Sequence, residues 1–318
     1  HGGLFKSLSS WPGESSAWTV FIHSVHRFVW INEKYWTWQR PALFHLRCER
    51  KRKGDGPLDL DVLTGLSSGQ RLLLFTRCSE LLTDVTKPGG RPAAIGAYRS
   101  IMLVVCLMRC NITQQVAGAV FGASQSTVSR RWDLLRPIIR RAVASFVPHP
   151  REVLGGDTAL VDGTITPTWD WKHVPDLFSA KAGYAGMNVQ VAANLGGRIA
   201  AVGPTAVHGA RHDAHAFAAS GLKQLLADIP AIGDLGYVGV DGITIVPIKR
   251  APKCPIRDCD KEFNTEVAKL RALNEQAVAT LKGWRMLSQE GGRYRPPIEK
   301  FEETLQAITG LLFFRAFA

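Results

Sequence analysis

The sequence predicts two parts in series, an all-α segment over residues 61–150 and an α/β segment over residues 151–318. Three observations carry that division. Residues 61–150 show helical apolar spacing with no strand-like alternation. Residues 151–318 mix short apolar runs of strand length with helical stretches, the order of an α/β domain. Charge also changes across the boundary, from net +7 over 61–150 to +1 over 151–318, within +12 for the whole chain. At 318 residues, with 46% apolar and 21% charged, the composition is that of a globular protein long enough to bury more than one core.

Taken in order, residues 1–60 carry net +4 and five of the nine tryptophans but no sustained apolar period. They are expected to form a poorly ordered leader. A basic arm on DNA is the alternative, because Arg47-Cys-Glu-Arg-Lys-Arg-Lys53 concentrates positive charge. Gly54-Asp-Gly-Pro57 breaks the chain before regular structure begins. Helices are predicted near 67–83, 92–109, 113–121 and 124–146, punctuated by Lys87-Pro-Gly-Gly90, Asn111 and Gly122. Strands are predicted at 158–162, 187–194, 198–203, 230–233 and 243–246, with helices near 212–227, 260–288 and 298–316. No apolar run approaches a membrane-spanning length and no secretory pattern opens the chain, so an intracellular protein is expected, in the cytoplasm or nucleoid of a bacterium. The six cysteines are too sparse for a disulfide scaffold, and Cys254 and Cys259 lack a second ligand pair at zinc-site spacing.

The basic middle segment contains a candidate DNA reader. Residues 112–121 make a short helix that ends at Gly122, and Ser124 can cap a second helix from Gln125 onward. Val128, Trp132 and Leu135 fall on one packing stripe. Gln125, Ser126, Ser129 and Arg130 fall away from it. Two helices joined by a tight turn form a helix-turn-helix, whose second helix can enter a major groove. Arg130 could pair with guanine, and Arg131 and Arg136 could hold phosphates. An ordinary helical hairpin with solvated arginines is the competing reading, which the +7 balance disfavours.

The α/β segment places carboxylates at strand ends. Leu160-Val-Asp-Gly-Thr164 reads as the carboxyl edge of a buried strand bearing Asp162, and Ile232-Gly-Asp-Leu-Gly-Tyr237 repeats the arrangement with Asp234. On the helix near 260–288, Asn264, Arg271 and Lys282 lie within about 40° of Glu275 at about 100° per residue. Phe263, Val267, Leu270, Leu273, Val278, Leu281 and Trp284 cover the other side. A carboxylate with cations one and two turns away can hold a phosphate beside a metal. Phosphodiester chemistry needs an activated nucleophile and a stabilised leaving oxygen, which two Mg²⁺ or Mn²⁺ ions supply when carboxylates hold them. At His212-Asp213, assistance to a metal is possible, but capping of the following helix by the aspartate is the commoner role.

These residues together resemble the DDE superfamily endonucleases, the bacterial insertion-sequence transposases and their Harbinger-type relatives. The resemblance spans 61–317. It rests on Val161-Asp-Gly-Thr164, Phe178-Ser-Ala-Lys181, Met187-Asn-Val-Gln190, His212-Asp213 followed by Phe217, Gly233-Asp-Leu-Gly-Tyr237, and the Arg271-x₃-Glu275-x₆-Lys282 spacing with Trp284 and Arg285. Ala268 stands where the related signature often has tyrosine, and Ala180 where glycine is usual. The resemblance implies an RNase H-like catalytic domain over 151–318, preceded by the helix-turn-helix domain over 61–150. It also implies Asp162, Asp234 and Glu275 as a metal-holding catalytic triad, with Arg271 and Lys282 on DNA. The expected function is DNA transposition, with recognition of terminal repeats, metal-dependent cleavage and strand transfer to target DNA by a homo-oligomer. A non-catalytic DNA-binding derivative is the alternative, and an unrelated α/β phosphatase would leave the helix-turn-helix unexplained.

Overall fold

The computed structural model describes residues 22–24, 27–29, 58–83, 95–169, 173–251 and 253–318. The chain divides into two compact units, His1–Arg47 and Cys48–Ala318. In the first, β1 (Ile22–Ser24) and β2 (Arg27–Val29) pair as an antiparallel hairpin. The rest of the expected leader up to residue 57, its basic run included, lies outside the described residues, as does the break at 87–90, while Asp59 caps α1 and Leu60 opens it.

The second unit begins with α1 (Leu60–Thr64), α2 (Ser68–Thr83), α3 (Ala97–Cys110), α4 (Gln114–Phe121) and α5 (Gln125–Val143). The central element is α3, whose residues Ile101 to Met108 are all buried. Its neighbours close it on several sides, which is why this run is apolar around the whole helix rather than along one stripe. Thr113 and Ser124 cap α4 and α5, accepting from the Val116 and Thr127 amides. Gly118 allows the turn between them to close, because a Cβ there would lie 2.5 Å from the Ala123 carbonyl oxygen.

After α6 (Pro150–Leu154) the chain forms β3 (Ala159–Pro167), β4 (Phe178–Ser179), β5 (Tyr184–Ala193), β6 (Ile199–Val202) and β7 (Val207–His208). Then follow α7 (Asp213–Ala219), α8 (Leu222–Leu225), β8 (Ala231–Ile232), α9 (Asp258–Lys282) and α10 (Phe301–Phe317). β5 is the hub of the six-stranded sheet. β3 runs antiparallel along it from Gly186 to Ala193, while β4, β7 and β6 pair with successive stretches of it. β8 lies parallel to β3.

Alternation along β3 sends its side chains to two cores. Leu160 packs in the cluster with Val267, Ala277 and Leu281 of α9. Ala159 and Val161 pack in the other cluster, with Phe217 of α7, Leu222 of α8 and Tyr237. The sheet is thus covered by α9 on one face and by α7 and α8 on the other.

Three sequence expectations change in detail. The strand bearing Asp162 continues to Pro167, because Gly163 pairs opposite Gln190 and the β-branched Thr164, Ile165 and Thr166 extend the ladder. The helix expected over 212–227 breaks at Gly221, whose φ of +79° no helix continues through. The strand expected at 243–246 is reduced to a single bridge between Ile232 and Ile245.

The helical and α/β segments belong to one compact unit. α10 packs along α5, and Phe313 and Phe314 enter the same core as Ile138 and Val143. Asn111, at the end of α3, donates to the Gly291 carbonyl at 2.9 Å and accepts from Arg295 at 2.7 Å.

Candidate active site

Strand register places the two aspartates. Leu160 pairs with Ile232 across the parallel β3–β8 ladder, so Asp162 and Asp234 each lie two residues further on. On β3 a step of two returns Asp162 to the face of Leu160, the one covered by α9, and Asp234, in the loop after β8, meets Arg271 of that helix. Each carboxylate is fixed by a neighbouring backbone N–H. Asp162 Oδ1 accepts from Gly163 at 2.8 Å, and Asp234 Oδ1 accepts from Gly236 at 2.8 Å.

α9 supplies the opposite wall. Asp162, Gly163 and Thr164 line a cleft of about 280 Å³ together with Glu275, Val278, Ala279 and Lys282. The last four residues follow the i, i+3, i+4, i+7 spacing of one helical stripe. Val278 belongs to the cleft, so the polar stripe borders the packed face of α9 instead of opposing it. Arg271 Nη2 lies 3.7 Å from Asp234 Oδ2. Asn264 works differently from its neighbours on the stripe. It clamps the chain at Ile248, accepting from that amide at 2.7 Å and donating to that carbonyl at 3.0 Å.

The electrostatics are those of crowded acids. Burial, above all, pushes the Asp162 carboxyl above its ordinary range. Asp234 and Asp213 add to this, while the Gly163 N–H and the Arg271 charge oppose it. Burial lowers the Lys282 ammonium, with Asp162 pulling the other way. Glu275 is exposed at the mouth. Among the described residues, no three His, Cys, Asp or Glu side chains stand close enough to share one ion. The donor chemistry nevertheless fits a hard divalent cation. Carboxylates come from three separate elements, and a cation would offset both the burial and the smaller repulsion that raise Asp162.

The structure therefore brings Asp162, Asp234, Glu275, Arg271 and Lys282 to one locality. It presents the other predicted set along α5. Gln125, Ser126 and Arg130 are exposed, Ser129 and Arg131 are half-buried, and Gln125 donates to Gln114 of α4 at 2.7 Å. Arg136 departs from expectation. It is 6% exposed, and its Nε and Nη2 both donate to Glu303 of α10, at 3.0 and 2.6 Å. Its place on the Trp132 side of α5, under α10, removes it from any phosphate-binding surface.

Asp213 also departs from expectation. The cap of α7 is His212, whose Nδ1 accepts from the His215 amide. Asp213 points instead toward β3 and β5, where it accepts from Asn188 at 2.9 Å. A signal for this was available in Met187-Asn-Val-Gln190, which puts polar residues at alternate positions of an otherwise apolar strand and so on one buried face.

The family described as DDE superfamily endonuclease matches residues 161–312, an interval containing all three carboxylates. A protein named as a transposase for insertion sequence element IS112, from Streptomyces albus G, is 30% identical over 225 residues, covering 70% of this chain and 83% of its own length. One named as a transposase for element IS702, from Microchaete diplosiphon, is 28% identical over 236 residues, covering 71% and 82% respectively. No solved structure matches the chain.

Proposed function

Because the chain belongs to the DDE superfamily of transposases, we propose that it binds the ends of a mobile DNA element and cuts and joins DNA at the α9-covered cleft. The observation that carries this reading is the register of β3 and β8, which brings Asp162 and Asp234 to one level of the sheet beside the helix bearing Glu275. An antiparallel run of β3, β5 and β6, with β8 parallel to β3 and helices on both faces, supports an RNase H-like catalytic fold.

Asp162, Asp234 and Glu275 are the residues that hold Mg²⁺ or Mn²⁺. With one or two such ions held there, the site would supply activation of the attacking oxygen and stabilisation of the leaving one. Lys282 lines the same cleft and meets the phosphate being cut. Arg271 neutralises Asp234 and turns toward phosphate when DNA arrives. On α5, Gln125, Ser126 and Ser129 enter the major groove, Arg130 reads guanine and Arg131 holds the backbone. Two element ends handled together require at least a dimer on DNA. No helix among the described residues is long and apolar enough to cross a membrane.

The test is cleavage of DNA carrying the source element's own ends, with Mg²⁺, with Mn²⁺ and with chelator. Metal-dependent nicks at the ends, followed by joining to target DNA, are expected. Binding of those ends without cleavage in either metal would replace this reading with that of a non-catalytic DNA-binding protein.

A further inference from the structure

On the face of the sheet opposite Asp162, four polar side chains form a directed chain. Tyr237 Oη donates to Gln190 Oε1 at 2.7 Å, Gln190 Nε2 donates to Asn188 Oδ1 at 2.8 Å, and Asn188 Nδ2 donates to Asp213 Oδ1 at 2.9 Å. Tyr237, Gln190 and Asn188 are at most 1% exposed. Every donor in the relay points the same way, so the chain ends on the Asp213 carboxylate. A buried polar network contributes little net stability over apolar packing of the same volume, but fully satisfied it fixes its members in one orientation.

Two glycines let that carboxylate reach the catalytic pair. A Cβ on Gly163 would lie 2.3 Å from Asp213 Oδ1 and 2.5 Å from Gln190 Nε2, so the residue after Asp162 must lack a side chain for Asp213 to lie against β3. A Cβ on Gly236 would lie 2.9 Å from Asp234 Oδ1 and 3.8 Å from Asp213 Oδ2, which leaves a side-chain-free cradle between the two acids. The second oxygen of Asp213 is thus aimed at the Asp234 loop. Its cationic neighbour is Lys181, with Nζ at 3.4 Å and a side chain 81% exposed, a partner that solvent or another cation can replace.

We infer that Asp213 is a fourth carboxylate of the catalytic centre, entering from the far face of the sheet to hold a divalent cation with Asp234, and that Tyr237 is a positioning residue acting on it through Gln190 and Asn188. The inference rests on the proposed function, and adds to the three acids a fourth, carried by the first residue of α7.

The experiment measures Mn²⁺ binding to the full chain without DNA, by calorimetry and by electron paramagnetic resonance of the free ion, alongside the thermal midpoint in chelator. Asp213→Asn keeps an acceptor for Asn188, so its midpoint in chelator should stay near wild type while Mn²⁺ affinity falls about tenfold or more. Tyr237→Phe should weaken Mn²⁺ by about tenfold, the usual scale for a group that orients a ligand. Lys181→Ala, a surface change without folding risk, should tighten Mn²⁺ several-fold in the wild-type background and not in Asp213→Asn. Should Asp162→Asn lose Mn²⁺ while Asp213→Asn and Lys181→Ala both bind as wild type does, the fourth acid is refuted and the three-acid reading stands. Should the wild type neither bind Mn²⁺ nor cut its ends, both readings fall together.

Discussion

α5 and α9 are the two longest helices among the described residues, at 19 and 25 residues, and they dispose of their basic side chains in opposite ways. On α5 the N-terminal turns leave Arg130 exposed and Arg131 half-buried, while about one and a half to three turns later α10 takes Arg136 into a pair with Glu303 and Arg140 onto Gln306 at 2.8 Å. On α9 Lys261 and Lys269 stay exposed on Asp258 and Glu266, but two cations face the sheet, Arg271 against Asp234 and Lys282 into the cleft beside Asp162. A basic stripe on a helix therefore has no meaning until the packing partner is known. On α5 the partner is another helix, which consumes charge for cohesion. On α9 it is the middle of β3 and the loop after β8, whose acids attract cations and whose cleft stays open to a third party.

The sharpest break of that comparison lies in the acids. Asp162→Asn, Asp234→Asn and Glu275→Gln preserve shape and remove one charge each. Each is expected to lower cleavage of end-bearing DNA by about 10³-fold or more, on the order of 4 kcal/mol of barrier. Retention of end binding on the same preparations would separate the two helices functionally, because α5 is untouched. Cleavage by all three variants at the wild-type rate would remove the acids from the chemistry.

The arginines of α5 sharpen it next. Arg136→Ala leaves Glu303 partly buried without its bidentate partner, so a loss of about 3 kcal/mol in unfolding free energy is expected by denaturant titration. Arg130→Ala should leave stability within about 0.5 kcal/mol of wild type, as an exposed site does. It should instead cost about 1–3 kcal/mol of affinity for the cognate end and relax base preference there. Sequence-blind weakening from Arg130→Ala would mean that α5 grips phosphates without reading bases.

Much of this was legible from residue order, and the failures share a cause. Helix periods, the cap at Ser124, and the shared stripe of Glu275 and Lys282 are local, and local rules place them. Asp162 and Asp234 could be marked as strand-borne acids, but their shared level depends on β3 pairing with β8 across some seventy residues, which no local pattern states. Arg136 looked free to hold a phosphate because its partner lies on α10, at 167 residues' separation. Asp213 looked like a helix cap because its acceptor role is set by Asn188 on β5, and only the side-chain gap at Gly163 makes the approach possible. What the sequence concealed in each case was the identity of a distant partner.

The smallest expected effect concerns the cost of keeping acids together without a cation. Burial raises the folded-state pKa of Asp162, with Asp234 and Asp213 contributing. A carboxyl raised on folding binds its proton more tightly in the native state than in the unfolded chain. Its contribution to stability is therefore full below the ordinary carboxylate value and is lost as pH rises through the raised one. At neutral pH the metal-free protein carries that loss. Asp162→Asn removes the charge and retains an oxygen for the Gly163 N–H, so in chelator near pH 7 it should melt above wild type, by about 2 °C for about 1 kcal/mol at this size. The difference should shrink as pH falls through the window toward ordinary carboxylate values, where wild-type Asp162 is also neutral. Mn²⁺ should reverse the order at neutral pH by stabilising wild type and not the variant. A variant that melts below wild type in chelator at neutral pH would mean that Arg271 and the backbone compensate Asp162 fully, and that the acids are held together without strain.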